Sequence, residues 1–169
     1  MTSIPVVLIT NSSTLIDPKL RKDILDVDLI IPSLDAVTQE VFEKIDQPAD
    51  KIKIEEIIDA LIKFRKSYRG RMWLEIMLVR GLNDSPQYLA QIKKVTDLIK
   101  PDRIQINSPV RPAAFGWVKS ASRQTLKKAK DIFVDYGGHT GAGGFSVLQE
   151  NIHMLEERLN TAFKELSAE

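Results

Sequence analysis

The 169-residue chain contains no cysteine. That absence excludes a disulfide framework, a thiolate zinc site, a thiol nucleophile and any iron–sulfur cluster held by the chain's own sulfur. No apolar run approaches the ~20 residues that a membrane-spanning helix needs. Neither sign of charge dominates: 24 Lys and Arg face 23 Asp and Glu, so net charge recruits no class of partner. Glycine is scarce and unevenly spread, with five of eight falling between Gly137 and Gly144.

What is present is a rhythm of short apolar runs, each followed by an amphipathic stretch. "PVVLIT" (5–10), "VDLIIPSL" (27–34), "RMWLEIMLV" (71–79) and "RIQINSPV" (103–110) have the length and branching of buried parallel strands. Between them, Val37, Val41, Phe42 and Ile45 form one helical stripe, and Ile54, Ile57, Ile58, Leu61 and Ile62 another. Leu89, Ile92, Val95 and Ile99 form a third, and a further helix is expected from about Ser122 to Phe133. Asp17 before Pro18, and Ser85 before Pro86, read as helix starts. The opening "MTSIPVVLIT" reads as a strand rather than a signal peptide, which points to the cytoplasm.

Strands alternating with helices imply a parallel sheet. A complete eight-fold barrel takes about 250 residues, so four or five such units make an open sheet or a partial barrel. In either architecture ligands gather beyond the carboxyl ends of the strands. The residues there are polar: Thr10, Asn11 and Ser12; Ser33 and Asp35; Arg80, Asn83 and Asp84; Asn107, Ser108 and Arg111. Asp17, Ser85 and Asp84 have ready duties as caps and turn formers. Ser33, Asp35, Asn107 and Arg111 have no obvious capping duty and are the better ligand candidates. Trp73 and Trp117 belong to no aromatic series and read as packing residues.

In order along the chain, "LITNSSTL", "PSLDA", "FEKIDQP", "LIKFR", "RMWLEIMLVRGLND" and "PDRIQINSPVRPAAFGWV" resemble the later part of a radical S-adenosylmethionine protein of the iron–sulfur oxidoreductase subgroup. The resemblance covers residues about 4–132. It implies a partial (βα) TIM-type barrel, a parallel sheet of four to five strands, with S-adenosylmethionine bound across the strand tips. Asn11 and Ser12 would line that pocket, Ser33 and Asp35 would approach the ribose, and Arg80 and Asn107 the carboxylate or adenine side. The family's 4Fe–4S cluster sits on a CxxxCxxC loop that precedes the matching region, so this chain cannot bind it alone. A partner chain supplying the N-terminal strands and cysteines would complete the machine.

The segment 133–169 resembles a second family. "YGGHTGAGGFSV" followed by "ENIHMLEERLN" is similar to the end of the DHH-associated domain of RecJ-like exonucleases. That resemblance implies a glycine loop, short strand and helix appended to the 1–132 unit, with Gly137, Gly138 and His139 meeting a phosphate or a nucleic acid. Successive unhindered amides can form an anion nest, in keeping with such a role. Lys119, Arg123, Lys127 and Lys130 fall near an i, i+4, i+8 progression and make a basic stripe that is either a phosphate contact or a solvated helix face.

Overall fold

A computed structural model describes residues 4–109 and 115–132. They form an α/β unit in which strands β1 (Val7–Thr10), β2 (Leu29–Pro32), β3 (Arg71–Met77) and β4 (Arg103–Asn107) make one sheet in sequence order. Every pairing is parallel: Val7 with Leu29, Leu29 with Arg71, and Trp73 with Arg103 open the three ladders. The connections carry α1 (Pro18–Asp23), α2 (Gln39–Ile45), α3 (Ile54–Ser67) and α4 (Pro86–Ile99), and α5 (Arg123–Ile132) follows β4. The expected partial-barrel architecture is therefore present, with four strands among the described residues. The expected glycine loop, short strand and last helix of 133–169 lie outside the described residues.

Strand side chains alternate between faces, so a sheet with helices on one side buries every second residue. β3 shows this plainly. Met72, Leu74 and Ile76 are fully buried, while Trp73, Glu75 and Met77 are only part-buried. The buried set meets Ile57, Leu61 and Phe64 of α3 and Leu89, Ile92 and Ile99 of α4 in one core. On the opposite face Trp73, Glu75 and Met77 are only part-buried. Among the described residues β1 ends the sheet on one side, and there Val7 and Ile9 are 50% and 72% exposed.

The amino ends of the strands are clamped. Asp102 accepts the Met72 amide at 2.7 Å through one oxygen and pairs with Arg65 at 2.8 Å through the other. Arg65 also donates to the carbonyls of Gly70 and Lys100. Tyr68 stacks on Phe64 and donates to the Val27 carbonyl at 2.9 Å. A Cβ at Gly70 would lie 2.3 Å from the Tyr68 hydroxyl, so only glycine lets the chain pass there.

Helix starts match expectation where a cap is local. Asp17 accepts the Lys19 amide ahead of Pro18, and Ser85 accepts the Tyr88 amide ahead of Pro86. Two expectations needed correction. The helix anticipated from the Val37 stripe starts only at Gln39, because the Val37 and Thr38 amides both donate to the distant Tyr88 hydroxyl. Trp117 is not a packing residue: it is 47% exposed, with its ring stacked on Phe115.

At the carboxyl end of β3, Asn83 acts as an internal staple. Fully buried, it donates to the carbonyls of Asp35 and Met77, both at 2.7 Å, and accepts the Val79 amide at 2.7 Å. Asn83→Ala strands three buried backbone groups, and leaving buried polar groups unpaired costs ~1–3 kcal/mol each before relaxation and water entry. The expected outcome is a loss of about 3 kcal/mol in urea unfolding with an unchanged m-value. A loss under half of that would mean water replaces the side chain.

Candidate functional site

The parallel register brings the strand tips to one rim. Thr10 lies beside Pro32, Ser33 bridges Glu75, and Met77 lies beside Asn107. Asn11, Ser12, Ser33, Asp35, Arg80 and Asn107 therefore all follow strand ends on the same side of the unit. They do not all share one cavity.

Asn11, Ser33 and Asp35 line a small cleft with room for about one water, together with Asp46 from the end of α2. Its apolar wall comes from Leu34, Phe42, Ile54 and Ile57. The loop after β1 is held in place by Ser12, which is fully buried with φ 69° and donates its hydroxyl to the Ser33 carbonyl at 2.7 Å. Ser12 thus shapes the cleft by joining two strand tips, and its side chain is not among the lining groups. Asn11 is exposed and accepts from the Ser13 amide and hydroxyl, which orients its amide group at the mouth.

Asp35 has a structural partner that the sequence did not suggest. One carboxyl oxygen accepts the Met77 amide at 2.7 Å, linking the β2 loop to the tip of β3. Burial pushes its pKa from 3.8 up to about 7; the Met77 hydrogen bond opposes the rise, and the charges of Asp46 and Glu75 add to it. Asp46 is likewise raised, to about 6, by desolvation. The cleft therefore carries two carboxyl groups that exchange protons near neutral pH, beside a neutral amide and a hydroxyl.

Arg80 and Asn107 sit outside this cleft, on the β3–β4 half of the rim. Both are exposed, and their backbones are engaged: the Arg80 amide donates to the Lys119 carbonyl, and the Asn107 carbonyl accepts the Leu78 amide. Asn83 and Asp84, also read from the strand tip, serve the turn; Asp84 accepts the Gly81 amide at 2.8 Å. Arg111, Gly137, Gly138 and His139 lie outside the described residues. Three relevant groups escaped the reading of strand tips: Asp46, Glu75 and Gln105. Glu75 and Gln105 face each other on the part-buried side of the sheet. The clue to Glu75 was a carboxylate in the middle of an otherwise apolar strand. Among the described residues no group of three or more His, Asp or Glu side chains could hold a metal ion, and no helix is long and apolar enough to cross a membrane.

No family model matches the chain. It is 40% identical over 133 residues to the GTPase Obg of Brachyspira hyodysenteriae, a match covering 79% of this chain and 20% of that protein. No GxxxxGK[ST] phosphate loop occurs in the sequence, so the shared stretch is not a P-loop. A UPF0026 protein of Methanocaldococcus jannaschii is 26% identical over 77% of this chain and 40% of its own length. A probable dual-specificity RNA methyltransferase RlmN of a Thermotoga species is 32% identical over 70% of this chain and 34% of its own length. The chain thus spans a fifth to two fifths of these relatives.

Among solved structures, a radical SAM methyltransferase from Sphaerobacter thermophilus superposes with a TM-score of 0.64 at 18% identity, over 81% of this chain and 40% of that one. A domain of pyruvate-formate lyase-activating enzyme from Bacteroides vulgatus gives 0.63 at 12% identity, over 83% and 82%. The fold is that of these neighbours. Together with the RlmN match, the likeness supports a relation to the radical S-adenosylmethionine superfamily.

A carboxyl group whose folded pKa is raised stabilises the fold below its unfolded pKa and loses that contribution as pH climbs through the folded value. For Asp35 the loss runs from about pH 4 to about pH 7. Asp35→Asn keeps an oxygen for the Met77 amide and removes the charge. Discounted for partial exposure, the variant is expected to gain about 2 kcal/mol over the parent at pH 8 and nothing at pH 4. Parallel urea-midpoint curves for the two proteins across that range would show that Asp35 is freely solvated.

Proposed function

We propose that this chain is the S-adenosylmethionine-pocket side of a radical S-adenosylmethionine iron–sulfur oxidoreductase, inactive by itself. The observation that carries the reading is the convergence of Asn11, Ser33 and Asp35 on one cleft at the carboxyl ends of β1 and β2. A ribose diol needs acceptors and a hydroxyl at close quarters, and Ser33 beside Asp35, whose carboxyl is mostly ionised only above about pH 7, supplies them. Phe42, Ile54 and Ile57, almost fully buried, close the floor of the cleft beneath these polar groups. The enclosed space is about 10 Å³, room for about one water, against the ~300–1,000 Å³ usual for a complete small-ligand site. In this reading the cleft is only the polar corner of the site, and the ligand lies mainly along the open rim toward Arg80 and Asn107.

The cluster that the family uses does not fit this chain. With no cysteine and no grouped metal ligands among the described residues, nothing here replaces its thiolates. We place the thiolates on a separate segment or partner chain. Among the described residues β1 is the outer strand of the sheet, and this position and the greater length of the relatives support that placement. In this reading the chain's own residues bind and orient, and the radical chemistry belongs to the assembled protein.

Titration calorimetry with S-adenosylmethionine tests the pocket independently of any cluster. Saturable binding is expected, weakened about five- to tenfold by Ser33→Ala and by Asn11→Ala, the worth of one hydrogen bond each. No heat at millimolar ligand, or affinity indifferent to both substitutions, would remove the cleft from consideration.

Anaerobic reconstitution with iron and sulfide tests the second part. No cluster absorbance is expected from this chain alone, and absorbance is expected once a polypeptide carrying the CxxxCxxC loop is added. A cluster formed by the chain alone would overturn the thiolate argument.

A further inference from the structure

We infer that the turn Phe115–Val118, together with the start of α5, is a binding surface for single-stranded nucleic acid. The turn closes with the Val118 amide on the Phe115 carbonyl at 3.1 Å. It lifts two aromatic rings into solvent: Phe115 and Trp117 are 46% and 47% exposed, 5.9 Å apart and 22° from parallel. Large rings in water gain most by covering their faces, and these two cover part of each other while close to half of each stays exposed. Nucleobases are the flat, sequence-tolerant partners such faces accept.

The platform is held rigidly. After Trp117 the chain runs antiparallel to the tip of β3: Ser120 bridges Val79, and the Arg80 amide donates to the Lys119 carbonyl at 2.9 Å. Ser108, at the tip of β4, donates to the Leu78 carbonyl at 2.9 Å and accepts the Ala121 amide at 2.8 Å. The Ser120 hydroxyl is bonded to the Pro109 carbonyl. Ser122 then caps α5 by accepting the Thr125 amide. A surface fixed before binding loses little conformational entropy when it is occupied.

Charge makes the surface specific for a polyanion. Residues 103–130 contain seven of the chain's 24 Lys and Arg and none of its 23 Asp and Glu, in a protein otherwise balanced. Lys119, Arg123 and Lys127 are exposed, and none forms an ion pair with a described residue. Arg123 and Lys127 stand one helical turn apart, while Ala129 is buried and Leu126 packs against the core. A duplex hides its base faces and gives the rings nothing to stack on. A single strand presents bases and phosphates together, which matches two exposed rings followed along the chain by exposed cations.

The test uses the full chain carrying Trp73→Phe, so that fluorescence reports Trp117 alone, titrated with a twelve-residue oligothymidylate. Quenching and saturable binding are expected at 50 mM salt, falling about twentyfold at 200 mM if three phosphates are neutralised on a single strand. Trp117→Ala and Phe115→Ala, read by anisotropy of labelled oligonucleotide, should each weaken binding about tenfold. Joint replacement of Lys119, Arg123 and Lys127 by Gln should flatten the salt slope by about 2. The ring variants should keep the parent's urea midpoint, which separates lost binding from lost folding. Absence of binding at 50 mM salt would overturn the inference, as would binding indifferent to both ring substitutions. Preference for phosphatidylserine vesicles or polyglutamate over the oligonucleotide would reassign the surface to a membrane or an acidic protein. None of these outcomes depends on S-adenosylmethionine binding.

Discussion

Where β3 ends, its backbone must still find partners, and this need organises the functional edge of the molecule. Beyond Met77 the chain leaves the regular ladder, and side chains from three separate loops take over. Asp35 accepts the Met77 amide, Asn83 takes the Met77 and Asp35 carbonyls with the Val79 amide, and Ser108 caps the Leu78 carbonyl. A buried amide without a partner is costly enough that these loops cannot drift independently. The rim is consequently one connected polar network rather than a set of free loops, and the cleft and the aromatic turn are both suspended from it.

The network also explains an apparent conflict at Asp35. A carboxyl that organises backbone would ordinarily be held ionised by its hydrogen bond, yet burial and two neighbouring carboxylates pull the other way and prevail. The two ends of the sheet differ in kind. The amino end is closed by Arg65, Asp102 and Tyr68, while the carboxyl end mixes buried polar staples, Ser12 and Asn83, with exposed groups, Asn11, Arg80 and Asn107.

Much of the architecture was legible in local patterns. The four apolar runs became the four strands, each somewhat shorter than the run, since the ladder stops where a loop side chain offers a better partner. Asp17 and Ser85 were readable as caps because a cap contacts amides two or three residues away. The delayed start of α2 was not readable, because its cause is the Tyr88 hydroxyl 50 residues downstream. Asn83 appeared in the sequence as one polar tip residue among many, and only burial distinguishes it. Trp117 was misread for the same reason: an aromatic residue in an apolar stretch packs unless the turn geometry turns it outward.

The sequence by itself determined the alternation of strands and helices, the polarity of the strand tips and the lack of any thiolate, because periodicity and composition are properties of neighbours along the chain. Tertiary structure alone decided which of those polar tips meet. It gathered Asn11, Ser33 and Asp35 with the unanticipated Asp46, left Arg80 and Asn107 on the other half of the rim, and set Phe115 against Trp117 in solvent. The reason is physical: convergence on a cleft depends on sheet register and on long-range hydrogen bonds, and neither is written in the spacing of residues.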